Sequence, residues 1–177
     1  MVTLEMDRLI LRMFRESDWE AFAELCGDPM VMRFLADRQP LPRHMAWRRL
    51  AMMAGHWTLR GYGMWAAEER ATGQFVGHIG FWNPEGWPGF ELGWTLRRGF
   101  WGRGYATEGA RACLKWAFTK LDQPQVISLI DPANSASIRV AQRLGESVAG
   151  TVEVMGYSVL VYRITREEWE NQEQPRP

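Results

Sequence analysis

Arg97-Arg98-Gly99-Phe100-Trp101-Gly102-Arg103-Gly104-Tyr105-Ala106-Thr107-Glu108 lies between a strand-like run and a helix-like run. Its three glycines leave several backbone N–H groups uncovered, and the helix that follows adds the positive end of its dipole. A strand, a glycine turn and a helix start in this order suit a phosphate-bearing ligand. Arg97, Arg98 and Arg103 add positive charge at the rim. The nucleotide patterns fit poorly. Gly99-x-x-x-x-Gly104 begins as a Walker A loop does, but Tyr105 and Ala106 stand where Lys and a hydroxyl residue are required. Gly102-x-Gly104 begins a dinucleotide fingerprint, yet Thr107 takes the third glycine position. The loop also follows the fourth strand of the chain, where a dinucleotide fold has it after the first.

Outward from the loop, the apolar pattern gives the remaining elements. Residues 7–14 read as a first strand, and Ser17 with Glu20 reads as a capping box opening a helix. Asp28-Pro29 starts a second helical piece, and Pro42 starts a longer helix that stops near Gly61. Three strands at short intervals follow, Gly63–Arg70, Phe75–Trp82 and Gly89–Leu96, so they are antiparallel neighbours. A helix from about Gly104 to Leu121, a strand Gln125–Ile130 and a helix Ser135–Leu144 come next. Two strands near 147–154 and 156–164 and a short helix opened by Thr165 and Glu168 complete the chain. The order is β-α-α-β-β-β-α-β-α-β-β. The fold class is therefore α/β (α+β), with a mixed, mostly antiparallel sheet of about seven strands and one right-handed parallel crossover. Residues 1–170 form one domain and 171–177 a polar tail.

Composition narrows the partners. Twenty-one basic and twenty-one acidic residues leave no net field for nucleic acid or an anionic membrane. The two cysteines, Cys26 and Cys113, have neither CxxC nor metal spacing, so no metal is expected. No apolar run is long enough to span a bilayer and the N-terminal residues are no signal peptide, so a cytoplasmic domain is expected.

Two segments carry a family resemblance. Trp101-Gly-Arg-Gly-Tyr-Ala106 resembles the acyl-CoA pyrophosphate loop of the GNAT (Gcn5-related) N-acetyltransferases, Gln/Arg-x-x-Gly-x-Gly/Ala, with Trp101 replacing the Gln/Arg. Asn134-Ser-Ala-Ser-Ile-Arg-Val-Ala-Gln-Arg-Leu-Gly145 resembles the Asn-x-x-Ser-x-x-Val…Leu-Gly segment of its RimJ/RimL-like branch. The resemblance covers roughly residues 3–164. It implies a sheet splayed between strands 89–96 and 125–130, with the pantetheine arm of acetyl-CoA (coenzyme A) in the gap. Trp94, Thr95 and Leu96 would pair with that arm. Trp101, Gly102, Arg103, Gly104, Tyr105, Ala106 and Thr107 would form the pyrophosphate loop, and Asn134 and Ser137 would meet the thioester end. The implied partners are acetyl-CoA and an amine acceptor, either a protein N-terminus or a small molecule. The chain would act as a monomer or homodimer.

Catalysis of acyl transfer to an amine needs a base, an oxyanion donor and a group for the departing thiolate. Alternation puts Phe90, Leu92, Trp94 and Leu96 on one strand face and Glu91, Gly93 and Thr95 on the other. Glu91 thus stands beside a position with no side chain, where it would reach an amine; the alternative is a carboxylate paired with an arginine. His78 is the other candidate base, set against a packed core histidine. Many relatives carry a thiolate-protonating Tyr seven residues after the Asn, but Ala141 stands there, leaving Ser137 as the substitute. Ser137 and Asn134 would equally serve as helix-start residues. Asp131-Pro132 reads as turn chemistry, and Glu146, after Leu-Gly, as a departure that bears on packing.

An active N-acetyltransferase and a catalytically idle CoA-binding module share all these features. Turnover over an amine panel separates them. Ten tryptophans in 177 residues sort by place. Trp19, Trp47, Trp57 and Trp116 are expected in a helical core, Trp65 and Trp94 in strands, and Trp169 in the terminal segment. Trp87 and Trp101, with Trp82, remain as binding-site aromatics.

Overall fold

The computed structural model describes residues 2–35 and 38–173. The strands are β1 (Leu4–Glu5), β2 (Leu9–Arg12), β3 (Met64–Glu69), β4 (Phe75–Trp82), β5 (Glu91–Leu96), β6 (Gln125–Ile130), β7 (Ser147–Val154) and β8 (Tyr157–Thr165). The helices are α1 (Trp19–Gly27), α2 (Pro29–Met32), α3 (Arg43–Arg60), α4 (Tyr105–Thr119), α5 (Ser135–Leu144) and α6 (Arg166–Glu173). One eight-stranded sheet runs in the order β1-β2-β3-β4-β5-β6-β8-β7. Its only parallel pair among the described residues is β5–β6, the expected crossover through α4.

Three details differ from the sequence reading. The run 7–14 is shorter than expected as a strand, and the residues before it add β1, so the sheet has eight strands rather than seven. Ser17 does not cap α1. It sits inside a 3-10 turn where Asp18 accepts the Arg15 N–H at 2.8 Å and both Arg12 guanidinium N–H groups at 2.7 Å. A carboxylate that satisfies a buried arginine outcompetes a hydroxyl for that turn. Glu20, freed from capping, pairs with Arg43 at the surface. Finally, α6 continues through Glu173, so residues 171–173 are helical rather than tail; 174–177 lie outside the described residues. Thr165 and Glu168 do form the expected cap, at 2.7 Å from the Thr165 N–H.

Helices cover both faces of the sheet. On the α4 side, Ala110, Cys113, Leu114 and Ala117 pack on Leu9, Leu11, Ile79 and Leu92. Trp65, Trp57, Trp116 and Phe81 interlock there, with centroids 4.7 Å (Trp57–Trp65) and 5.2 Å (Trp65–Trp116) apart. The indole N–H of Trp65 donates to the Val2 carbonyl at 3.0 Å. On the other side α1 and α3 pack Phe22, Leu25, Ala46 and Met53 on Met64, Ala66 and Phe75. Trp47 is a correction: it is 58% exposed on the outer face of α3 and packs in neither cluster.

The β4–β5 seam is tight. A Cβ on Gly77 would lie 2.1 Å from the Thr95 carbonyl oxygen, so only glycine permits this approach. The β5–β6 seam behaves oppositely. It has a single register pair, Glu91↔Ile127, with the Ile127 N–H donating to the Phe90 carbonyl at 3.0 Å. Beyond that rung the strands part.

Candidate active site

The parting strands open into a cleft of about 1330 Å3 between α4, α5 and the segment around α2. Every residue assigned to the cofactor from the sequence lines it: Trp94, Thr95, Leu96, Trp101 through Thr107, Asn134 and Ser137. Strand geometry explains the opening. The edge of β5 that meets β6 carries the backbone groups of Phe90, Leu92, Trp94 and Leu96; the single Glu91↔Ile127 rung engages the first two, and among the described residues no rung reaches Trp94 or Leu96.

At the other end of β5 the loop is shaped by its glycines. Gly102 and Gly104 have φ of +74° and +82°, and Gly104 leads directly into the first turn of α4. This left-handed backbone turns N–H groups toward the helix N-terminus, forming the concavity an anion needs. Arg8 braces the loop from the first strand pair: it donates to the Arg103 carbonyl at 2.8 Å and to Glu108 at 2.7 Å. That brace was invisible in the sequence, because it joins positions a hundred residues apart. Arg97 and Arg98 face away from the expected phosphate and pair with Glu24 and Asp28. Arg103 remains at the cleft, over the Phe100 ring. The Tyr105 hydroxyl also turns inward, donating to Glu69 at 2.6 Å. Trp101 anchors the loop by donating its indole N–H to the Leu96 carbonyl at 2.8 Å, and is 45% exposed.

Asn134 caps α5, accepting the Ser137 N–H at 3.2 Å. This leaves its side-chain amide N–H groups for a ligand. The Trp94 indole N–H donates to Ser137 Oγ at 3.3 Å, bridging β5 and α5 across the cleft. The hydroxyl proton of Ser137 is thereby left to donate elsewhere. Asp131 does form a turn, accepting the Ala133 N–H at 2.8 Å, and its second oxygen pairs with Arg38.

The two candidate bases part company. His78 is 5% exposed, packed against Phe22, with no partner for Nδ1. Burial, aided by the nearby Arg49 charge, holds it down to about 3, so its imidazole is a neutral core group. Glu91 stands where β5 and β6 separate. It accepts the Trp87 indole N–H at 2.7 Å and the Leu129 amide N–H. Its Oε1 would lie 4.0 Å from a Cβ on Gly93, so the carboxylate leans over the space that glycine leaves. Desolvation pushes it up to about 7, against the pull of those two donors. Among the described residues no arginine pairs with it. Neither Glu91 nor His78 lines the cleft itself.

Glu146, expected to bear on packing, is indeed buried, at 4% exposure behind the splay, and lies close enough to Glu91 to feel its charge.

A model of the Acetyltransferase (GNAT) domain matches residues 8–146. The chain belongs to the GNAT acetyltransferases. It is 34% identical over 167 residues to the Bacillus subtilis (strain 168) protein YkkB, covering 90% of this chain and 93% of that one. An acetyltransferase from Agrobacterium tumefaciens superposes with a TM-score of 0.84 at 32% identity, covering 93% and 94% of the two chains. The GNAT fold is shared with RimL, the ribosomal L7/L12 alpha-N-protein acetyltransferase solved with coenzyme A, at a TM-score of 0.78 and 19% identity, covering 93% and 98%. In this acyl-CoA-dependent acyltransferase the glycine loop, the splay and the Asn134–Ser137 helix start surround one cleft. No helix among its described residues is long and apolar enough to cross a membrane.

Proposed function

We propose that the protein transfers the acetyl group of acetyl-CoA to a primary amine, on a protein N-terminus or a small molecule, by direct attack with both substrates bound. The observation that carries this reading is the convergence of the glycine loop, the unpaired edge of β5 and the Asn134–Ser137 helix start on one cleft. The cleft fits the cofactor chemically. N–H groups of Gly102 to Thr107 suit a pyrophosphate, the Trp94–Leu96 edge suits an amide-bearing arm, and Asn134 offers free amide donors. Bound acetyl-CoA supplies an activated acetyl thioester.

The protein's own groups do the rest. Glu91, held by Trp87 and Leu129, takes a proton from the acceptor amine at its carboxylate oxygen, and its inflection near 7 suits that role. The Trp94 N–H, on the open edge of β5, stabilises negative charge developing on the thioester oxygen. The Ser137 hydroxyl proton hydrogen-bonds the departing sulfur. Cys113 and Cys26 are buried, and burial pushes the Cys113 thiol up, so neither serves as an acyl carrier. The reaction fits a cytoplasmic setting, where acetyl-CoA is made and used.

Calorimetric titration with acetyl-CoA and an acetylation screen over amines and peptides test this reading. Binding with turnover of an amine is expected, and Glu91→Gln should lower kcat on the order of 100-fold while leaving cofactor affinity unchanged. An undiminished rate in that variant would move the base elsewhere. Cofactor binding without turnover across the panel would make the chain an idle CoA-binding module.

A further inference from the structure

Where the β5–β6 ladder stops, side chains replace its next rung. The Leu92 carbonyl, on the open edge of β5, accepts the Ser128 hydroxyl at 2.9 Å. The Leu129 N–H of β6 goes to the Glu91 carboxylate instead. Ser128 is 1% exposed, and its Oγ also lies 3.1 Å from Glu146 Oε1. A serine hydroxyl owns one proton, and the Leu92 carbonyl has none to give. With its one proton on the Leu92 carbonyl at the shorter distance, Ser128 makes a full second hydrogen bond when Glu146 brings a proton; otherwise a single proton is shared between two acceptors. The other oxygen, Oε2, is buried with no partner among the described residues, a placement that a carboxylate anion would find costly and a neutral acid tolerates.

We propose that Glu146 is a positioning residue: as a neutral carboxylic acid it donates to Ser128, which clasps the Leu92 carbonyl, so the clasp fixes the mouth of the splay and leaves Glu91 as the one ionising carboxylate there. Burial raises Glu146 to about 8 against the pull of the Ser128 hydroxyl, and the Glu91 charge adds to the rise. From β8, Tyr162 stands opposite Ser128, while the cationic Arg163 shares its register with Ile127 on the Glu91 face. Gln172 of α6, which is uncharged, covers Gly145. Among the described residues no cation bears on Glu146. Two carboxylates this close do not both ionise readily, so a permanent proton on Glu146 spares Glu91 from sharing its own.

The kinetic part of this inference rests on Glu91 being the base; the protonation of Glu146 does not. Infrared difference spectra of the wild type against Glu146→Gln, at neutral pH without substrates, read it directly. The carbonyl band of a protonated carboxylic acid should be present in the wild type and in Glu91→Gln, and absent in Glu146→Gln. A wild type whose Glu146 shows only carboxylate bands overturns the proposal. In turnover, Glu146→Gln keeps a donor without charge, so kcat should stay within about twofold and the acidic limb of the pH profile should not move. A limb displaced to lower pH would show that a negative charge had been removed, and would overturn it. Ser128→Ala should lower kcat on the order of tenfold, with Ser128→Thr restoring it. An unaffected Ser128→Ala enzyme would remove the positioning role. If Glu91→Gln were fully active, the assignment of the base would fail, while the infrared result would still decide the state of Glu146.

Discussion

The two edges of β5 are built from the same six residues and have opposite characters. Toward β4 the strand is paired along its length, from Gly77↔Leu96 to Trp82↔Glu91. Toward β6 it keeps one register pair. The closed edge is stitched by backbone and secured by a glycine with no room for a side chain. The open edge is stitched by side chains, Ser128 and Glu91, that are bulkier and adjustable. A strand fixed rigidly on one side can afford to leave polar backbone unpaired on the other, which is what a site that binds by strand-like pairing requires. Rigidity and reactivity here are the two sides of one strand.

The contrast can be broken from either edge. The largest effect is expected from Gly77→Ala, whose Cβ meets backbone at both Thr95 and Leu96. We expect a loss of more than about 3 kcal/mol, measured by denaturant unfolding, or failure to accumulate as folded protein. Next is Gly104→Glu in the loop, which adds strain at φ +82° and a negative charge where an anion should sit. Acetyl-CoA affinity by calorimetry should fall on the order of 100-fold, about 2.7 kcal/mol, with little change in melting temperature.

Glu146→Gln acts at the open edge through pH. A carboxyl raised from 4.5 to about 8 binds its proton more tightly folded than unfolded. Its contribution to stability is therefore present below the ordinary carboxylate range and is lost as pH rises through 8. Glutamine has no such dependence, so the variant should gain on the wild type progressively as pH rises from about 4 to about 8, with no gain near pH 4. Thermal melts at both values measure it. The smallest effect is expected from Trp87→Phe. Removing the indole donor frees the Glu91 carboxyl to rise further, so the acidic limb of the pH–rate profile should move up by about one unit.

Much of this was legible in the sequence where the signal is local. Strand β4, strand β6 and helix α5 fall at the residues that periodicity and capping assign, because alternation, Asn134 and Gly145 punctuate the chain unmistakably. That the glycine loop and the α5 start line one cleft was legible for the same reason: both are continuous segments. What escaped is long-range. Arg8 reaches the loop across the sheet, Asp18 displaced Ser17 because of a buried arginine on another element, and Trp47 is exposed on a helix whose periodicity was judged apolar. The candidate catalytic side chains divide likewise. Alternation correctly set Glu91 beside Gly93, but that His78 is desolvated and that Glu146 shares the splay depend on three-dimensional burial that no spacing encodes.

The hydrogen bond from Trp65 to the Val2 carbonyl has a practical side. Among the described residues, the tryptophan at the centre of the aromatic core finds its indole N–H partner in Val2, ahead of β1. Trimming the segment ahead of β1 would strand a buried N–H and uncover the indole cluster beneath it. The segment ahead of β1 is therefore part of the core rather than an appendage to it.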